Sequence, residues 1–159
     1  MKQVKEEFRC SGILLENLDE TWPFVEKLIT YALEYADGKY RVEHILQGIK
    51  DQKMQLWVVS GSQKGVYSVC VTQVINYPAK KTMLILLCAG EHMAVWLHYI
   101  NVLKDFAKAN QCVAIEEYGR PGWAKYLGKL GFKTIHTVCS LNLIDGAPEH
   151  EKDIHQDGV

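Results

Sequence analysis

The chain carries no surplus of charge: 18 Lys and Arg stand against 19 Asp and Glu, for a formal net charge of -1. Nucleic-acid-binding domains usually carry a basic excess that matches the phosphates. Direct nucleic-acid binding is therefore not expected, and the clusters Lys80-Lys81 and Lys125, Lys129 and Lys133 read as solvated surface. Long apolar runs are missing as well. The longest, Met83 to Ala89, is far too short to span a bilayer. The opening "MKQVKEEFRC" alternates charge and lacks an apolar h-region, so neither a membrane span nor a secretion signal is expected. No Cys-x-x-Cys occurs. The five cysteines (Cys10, Cys70, Cys88, Cys112, Cys139) are odd in number, and four lie in apolar, strand-like runs. That pattern predicts reduced, mostly buried thiols rather than a disulfide framework. Gly-x-Ser-x-Gly, a P-loop and a Cys-His nucleophile pattern are also absent.

What is present is a regular order of elements in a chain of 159 residues, the size of one domain. "SGILLENL" reads as a short strand. "DETWPFVEKLITYALEYA" follows as a helix, with Asp19 as N-cap, Pro23 in its first turn and a stripe Trp22, Val25, Leu28-Ile29, Ala32-Leu33. "RVEHILQGIKDQ" reads as a second helix. Three β-rich runs, Met54–Ser60, Val66–Tyr77 and Thr82–Cys88, are separated by turn chemistry and predict an antiparallel meander. Glu91 to Asn110 carries the apolar stripe of a long helix. The strand Cys112–Glu117 follows, and a helical connection of that length makes it parallel to the third run. "RPGWAKYLGKLG" predicts a shorter helix with Pro121 near its start and Gly131 at its end. "FKTIHTVCSLNL" predicts a last strand, and residues 145–159 read as an acidic tail after a single domain, 1–144.

This order (β-α-α-β-β-β-α-β-α-β, an α/β or α+β mixed sheet) and the ending "KLGFKTIHTVCSL" resemble the GNAT superfamily of acetyl-CoA-dependent N-acetyltransferases. The resemblance runs from about Gly12 to Leu143. More narrowly, "MQLWVV", "YGRPGWAKYLGKLGF" and "LLCAGEHM" resemble GNAT-like proteins of tailed bacteriophages, some described as acetyltransferases and others as internal virion proteins.

The resemblance implies three site elements. The first is a pyrophosphate cradle after the fourth strand, where glycines admit the phosphates and a helix N-terminus supplies N–H donors. The matching residues are Cys88, Ala89, Gly90, Glu91, His92 and Met93, with one glycine, no arginine and a carboxylate that repels phosphate. The second is a general acid, in the family a tyrosine five residues before the Phe of Leu-Gly-Phe. Leu127 occupies that position here, and Tyr126 is its neighbour. The third is a base: Glu116 and Glu117 end the fifth strand on opposite faces, where partial desolvation raises a carboxylate toward working pH. No metal site is expected, because Cys88-x-x-x-His92 and Cys112 fall at opposite ends of a parallel pair.

Two of the three elements depart from the family pattern. The sequence alone therefore points to a phage-encoded GNAT-fold protein that is catalytically degenerate and acts as a virion-associated structural or interaction protein. Its expected partners are other virion proteins or further copies of itself, and its expected location is the virion or the host cytoplasm. Trp22, Phe24, Tyr77, Trp123 and the tail from Glu149 to Asp157 are its candidate contact residues. No cofactor is expected on this reading. The alternative is an acetyl-CoA-dependent N-acetyltransferase acting on an amine.

Overall fold

A computed structural model describes residues 5–63, 65–91 and 96–145, and the backbone alone at Trp96. Nearly all of the predicted tail lies outside the described residues. The chain divides into two compact units, Met1–Tyr118 and Gly119–Val159.

The first unit is built on a five-stranded sheet of order β1-β2-β3-β4-β5. The strands are β1 (Phe8–Gly12), β2 (Gln55–Gly61), β3 (Gly65–Asn76), β4 (Lys81–Gly90) and β5 (Ala114–Glu117). The first three pairings are antiparallel, and β5 pairs parallel to β4, as the helical connection predicts. The helices of this unit are α1 (Leu18–Glu34), α2 (Val42–Lys50) and α3 (Trp96–Ala109).

Side chains alternate across a strand, so each sheet face is assembled from every second residue. Leu56 and Val58 of β2, with Val69 and Val71 of β3, meet Leu18, Val25 and Ile29 of α1 and Ile45 and Ile49 of α2 in one core. A fully buried aliphatic side chain of this kind contributes ~1.5–3 kcal/mol. Trp57, between Leu56 and Val58, serves the other face, where the Phe106 ring of α3 meets it edge-on at 5.1 Å. The Trp57 indole N–H donates to Thr72 Oγ1 at 2.8 Å, and the Thr72 hydroxyl donates onward to Gln55 at 2.9 Å.

Several boundaries differ from the sequence reading. The first strand lies earlier, at Phe8–Gly12, and Leu15–Asn17 forms a single 3-10 turn. Helix α1 starts at Leu18 behind Asn17, which leaves Asp19 in the first turn rather than at the cap and Pro23 inside the helix. Strand β4 runs on to Gly90, so Glu91 lies between the strand and α3 instead of opening the helix. Helix α2 forms within the expected span, with the Arg41 N–H donating to His44 Nδ1 at 3.0 Å.

In the second unit α4 spans Pro121–Gly128, with Pro121 at its start as predicted. The expected last strand does not form: residues 132–143 have no regular secondary structure, and Ile135, Val138, Leu141 and Leu143 are exposed. Its main apolar residues, Phe132, Ile135, Val138 and Leu141, recur at every third position. A strand sends such residues alternately to both faces, so no single face gathers them.

Candidate active site where two parallel strands part

Strand β4 is paired with β3 along its length, but β5 accompanies it only from Thr82↔Ala114 to Ile85↔Glu117. Where β5 ends, β4 carries a bulge: Val71 faces Leu87 and Thr72 faces Ile85, which leaves Leu86 as the extra residue. A bulge bends its strand and raises the local twist. From Leu86 to Gly90, the β5 side of β4 has no strand partner among the described residues. Such an edge presents backbone donors and acceptors to any extended chain that carries amides.

The residues at this opening differ by face. Glu117 shares the face of Ile85, and its charge reaches the Cys88 thiol. Burial first, then the hydrogen bond with Cys70, the charge of Cys70 and that of Glu117, push Cys88 well above the ordinary thiol range. Glu116 lies on the opposite face with Tyr118, whose side chain is hydrogen-bonded to Tyr77 and to Glu116. The Tyr77 hydrogen bond leads the causes that push the Tyr118 phenol up to about 12, so it stays protonated at neutral pH. Glu116 and Glu117 are both half-buried.

The predicted phosphate turn is built differently from expectation. Cys88, Ala89 and Gly90 are strand residues facing Cys70, Val69 and Ser68. Gly90 has φ +140°, and a Cβ there would collide with Ser68 and with the Tyr67 carbonyl. Its missing side chain therefore permits close approach to β3 rather than leaving room for a ligand. The Glu91 N–H donates to that same Tyr67 carbonyl at 3.2 Å, so it is already engaged. Carboxylates also gather beside this turn. Tyr67 donates to Glu6, the leading cause of a phenol pushed up to about 12, and the Glu91 charge adds to the effect. His92 and Met93 lie outside the described residues.

Helix α3 is tied to the sheet by a buried hydroxyl. The Val59 N–H, beside the second bulge, donates to Tyr99 Oη at 3.0 Å, and Tyr99 Oη lies 2.7 Å from Ser68 Oγ. Either hydroxyl of the Tyr99–Ser68 pair can be the donor. Burial is the main cause that raises the Tyr99 phenol far above its ordinary range.

Tyr126 belongs to the second unit. It lies on α4 with its ring edge-on to Trp123 at 6.5 Å and the Lys129 ammonium 5.7 Å from its centroid. Among the described residues no group of three or more His, Cys, Asp or Glu is placed to hold a metal ion. The sequence reading missed Tyr118, although strand alternation puts it on the face of Glu116. The Tyr77 contact carries no sequence signal, because it spans the whole β4–α3–β5 segment.

No family model and no curated protein matches the chain. Solved structures do match its fold. A predicted acetyltransferase from Clostridium acetobutylicum, solved with acetyl-CoA, superposes with a TM-score of 0.63 at 11% identity, covering 86% of this chain and 97% of that one. A ribosomal-protein-alanine N-acetyltransferase from Brucella melitensis gives 0.62 at 14%, covering 86% and 99%. Glucosamine-6-phosphate N-acetyltransferase from Arabidopsis thaliana gives 0.61 at 10%, covering 87% and 99%. The chain thus has the mixed α/β fold of GNAT acetyltransferases.

Proposed function

We propose that the protein is an acetyl-CoA-dependent N-acetyltransferase, which reverses the preference drawn from the sequence alone. The observation that carries the reading is the open edge of β4 from Leu86 to Gly90, with Glu117 at the point where β5 stops. This edge suits the extended, amide-bearing arm of an acyl-coenzyme A. The turn suits it less, because Gly90 is closed against β3 and the Glu91 N–H is engaged. The residues therefore fit the arm of the cofactor and not a pyrophosphate at Gly90–Glu91.

When bound, the coenzyme supplies an acetyl group activated as a thioester. Backbone N–H and C=O groups of Leu86–Gly90 would hold its amide-bearing arm, and Glu117 would take the proton from the attacking amine. Glu116 orients Tyr118 on the opposite face. Leu127 holds the acid's position in the resembled family, and its neighbour Tyr126 is therefore assigned no step.

Calorimetry with acetyl-CoA is the test, followed by turnover on a panel of amines with the wild type and Glu117→Gln. The loss of one charge-assisted phosphate contact, at ~1.5–3 kcal/mol, predicts binding ~10- to 150-fold weaker than micromolar. Glu117→Gln is expected to bind equally and turn over far more slowly. No heat at millimolar acetyl-CoA overturns the proposal.

That outcome favours a second reading, an interaction protein of a tailed-phage particle or of a self-assembly. Its support is the exposure of Phe24 (70%) and Tyr77 (42%). Against it stand Trp22, half-buried on the α1–α2 core, and Trp123, half-buried in its own unit.

A further inference from the structure

Cys70 and Cys88 are direct cross-strand partners in the antiparallel β3–β4 pair, and Cys70 is, after burial, the main influence that raises the Cys88 thiol. Directly opposed residues of such a pair have Cα atoms ~4.5–5.5 Å apart, inside the span a disulfide bridges. Cys70 is fully buried, whereas Cys88 is only partly so and lies on the stretch of β4 whose outer edge is open. Of the two, Cys88 is the less buried residue, although burial is still the largest cause of its raised thiol.

We propose that Cys70 and Cys88 form a modification site, a dithiol that a hydroperoxide converts into a cross-strand disulfide. The Cys88 thiolate attacks the peroxide O–O bond, forming a sulfenic acid and releasing water or an alcohol. Cys70 then attacks the sulfenic sulfur, the S–S bond forms, and the hydroxyl leaves as a second water with the Cys70 proton. The two thiols are oxidised by two electrons and the peroxide is reduced by two. A thiol reductant reverses the change.

The site's chemistry sets its pH dependence. The thiolate is the attacking form, and burial, Cys70 and the charge of Glu117 all disfavour it at Cys88. The dithiol is slow at neutral pH, and its oxidation accelerates about tenfold per pH unit while the pH stays below the thiol's raised value. Cys10, the next thiol on this face, is pushed up to about 12 by burial and by Cys70, and has no directly opposed cysteine.

The test treats the reduced, full-length protein with hydrogen peroxide at neutral and alkaline pH, then alkylates it under denaturing conditions. The expected result is a fall from five titratable thiols by two, with a loss of two hydrogens in intact mass. Trypsin cleaves at Lys80 and Lys81, between the two cysteines, so a linked peptide pair identifies the bridge. Cys70→Ala is expected to leave Cys88 as a sulfenic acid trapped by dimedone. Cys10→Ser, which keeps both partners, is expected to form the bridge as the wild type does. A bridge between other cysteines, oxidation confined to the exposed Cys139, or unchanged thiols in both the wild type and Cys10→Ser overturns the proposal.

Discussion

Replacing Tyr99 by Phe removes one oxygen from the interior and leaves the ring packing in place. That oxygen is fully buried and serves two groups: the Val59 N–H at 3.0 Å and the Ser68 hydroxyl at 2.7 Å. Val59 and Ser68 are themselves strand partners beside the β2–β3 bulge, where the extra residue Tyr67 interrupts the ladder. Neither can reach solvent, because Val59 is 0% and Ser68 4% exposed. A buried donor left without an acceptor costs ~1–3 kcal/mol. The expected loss for Tyr99→Phe is therefore ~1–3 kcal/mol, with the Val59 N–H as the main contributor. Urea denaturation measures it as a lower midpoint at unchanged slope, since the surface exposed on unfolding is nearly the same. In a chain of 159 residues each kcal/mol lowers the melting temperature by about 2–4 °C. Ser68→Ala closes a double-mutant cycle, and a coupling of ~0.5 kcal/mol or more with Tyr99→Phe is expected. A Tyr99→Phe midpoint within error of the wild type, or zero coupling, refutes the assignment of this hydroxyl as the tie between α3 and the sheet.

Thr82 is 0% exposed and its hydroxyl has no hydrogen-bond partner among the described residues; Thr82→Val keeps the β-branched shape and is expected to stabilise by ~1 kcal/mol in the same denaturation assay. Alkaline pH is expected to destabilise the reduced protein from about pH 9 upward. Cys10 moves from an ordinary 9.0 to about 12 and Tyr67 from 10.0 to about 12 on folding, so the unfolded chain releases its protons first. The stability these groups provide is complete below the unfolded values and is lost as the pH rises toward the folded ones. Cys10→Ser, measured with reductant present, is expected to flatten that decline between pH 9 and 12.

Strands β2 to β5 were legible in the sequence because turn chemistry separates β2, β3 and β4 and because β4, α3 and β5 carry distinct periodicities, whereas β1 lies earlier than the run read for it. The bulges were not. An extra residue such as Leu86 looks like any other apolar residue in "TMLILLC", yet it marks where β4 parts from β5. The start of α1 was read late, because Asp19 is a good cap wherever a helix begins nearby, and Glu91, read as opening α3, follows directly on β4. The last strand was read from composition, and its three-residue apolar spacing tells against it. Glu116 and Glu117 were legible as a strand-end pair on opposite faces, while the Tyr77–Tyr118 contact depends on packing that no local pattern encodes.

Gly90 shows what the altered turn does instead. A glycine between a strand and a helix reads as room for a phosphate, since the backbone can then approach a ligand. Here the space belongs to Ser68 and Tyr67 of the neighbouring strand, and the Glu91 N–H that could have faced an anion closes the pair instead. One glycine cannot serve both purposes from the same side. A second glycine or an arginine nearby would have restored the cradle, and "CAGEHM" contains neither. The opening between β4 and β5 needs no such residue, because it arises from the length of β5 and the bulge at Leu86. The part of the site made by topology is thus intact while the part made by particular side chains is altered. On the proposed function, that combination leads to an expectation of weak rather than tight acyl-coenzyme A binding, which the calorimetry checks.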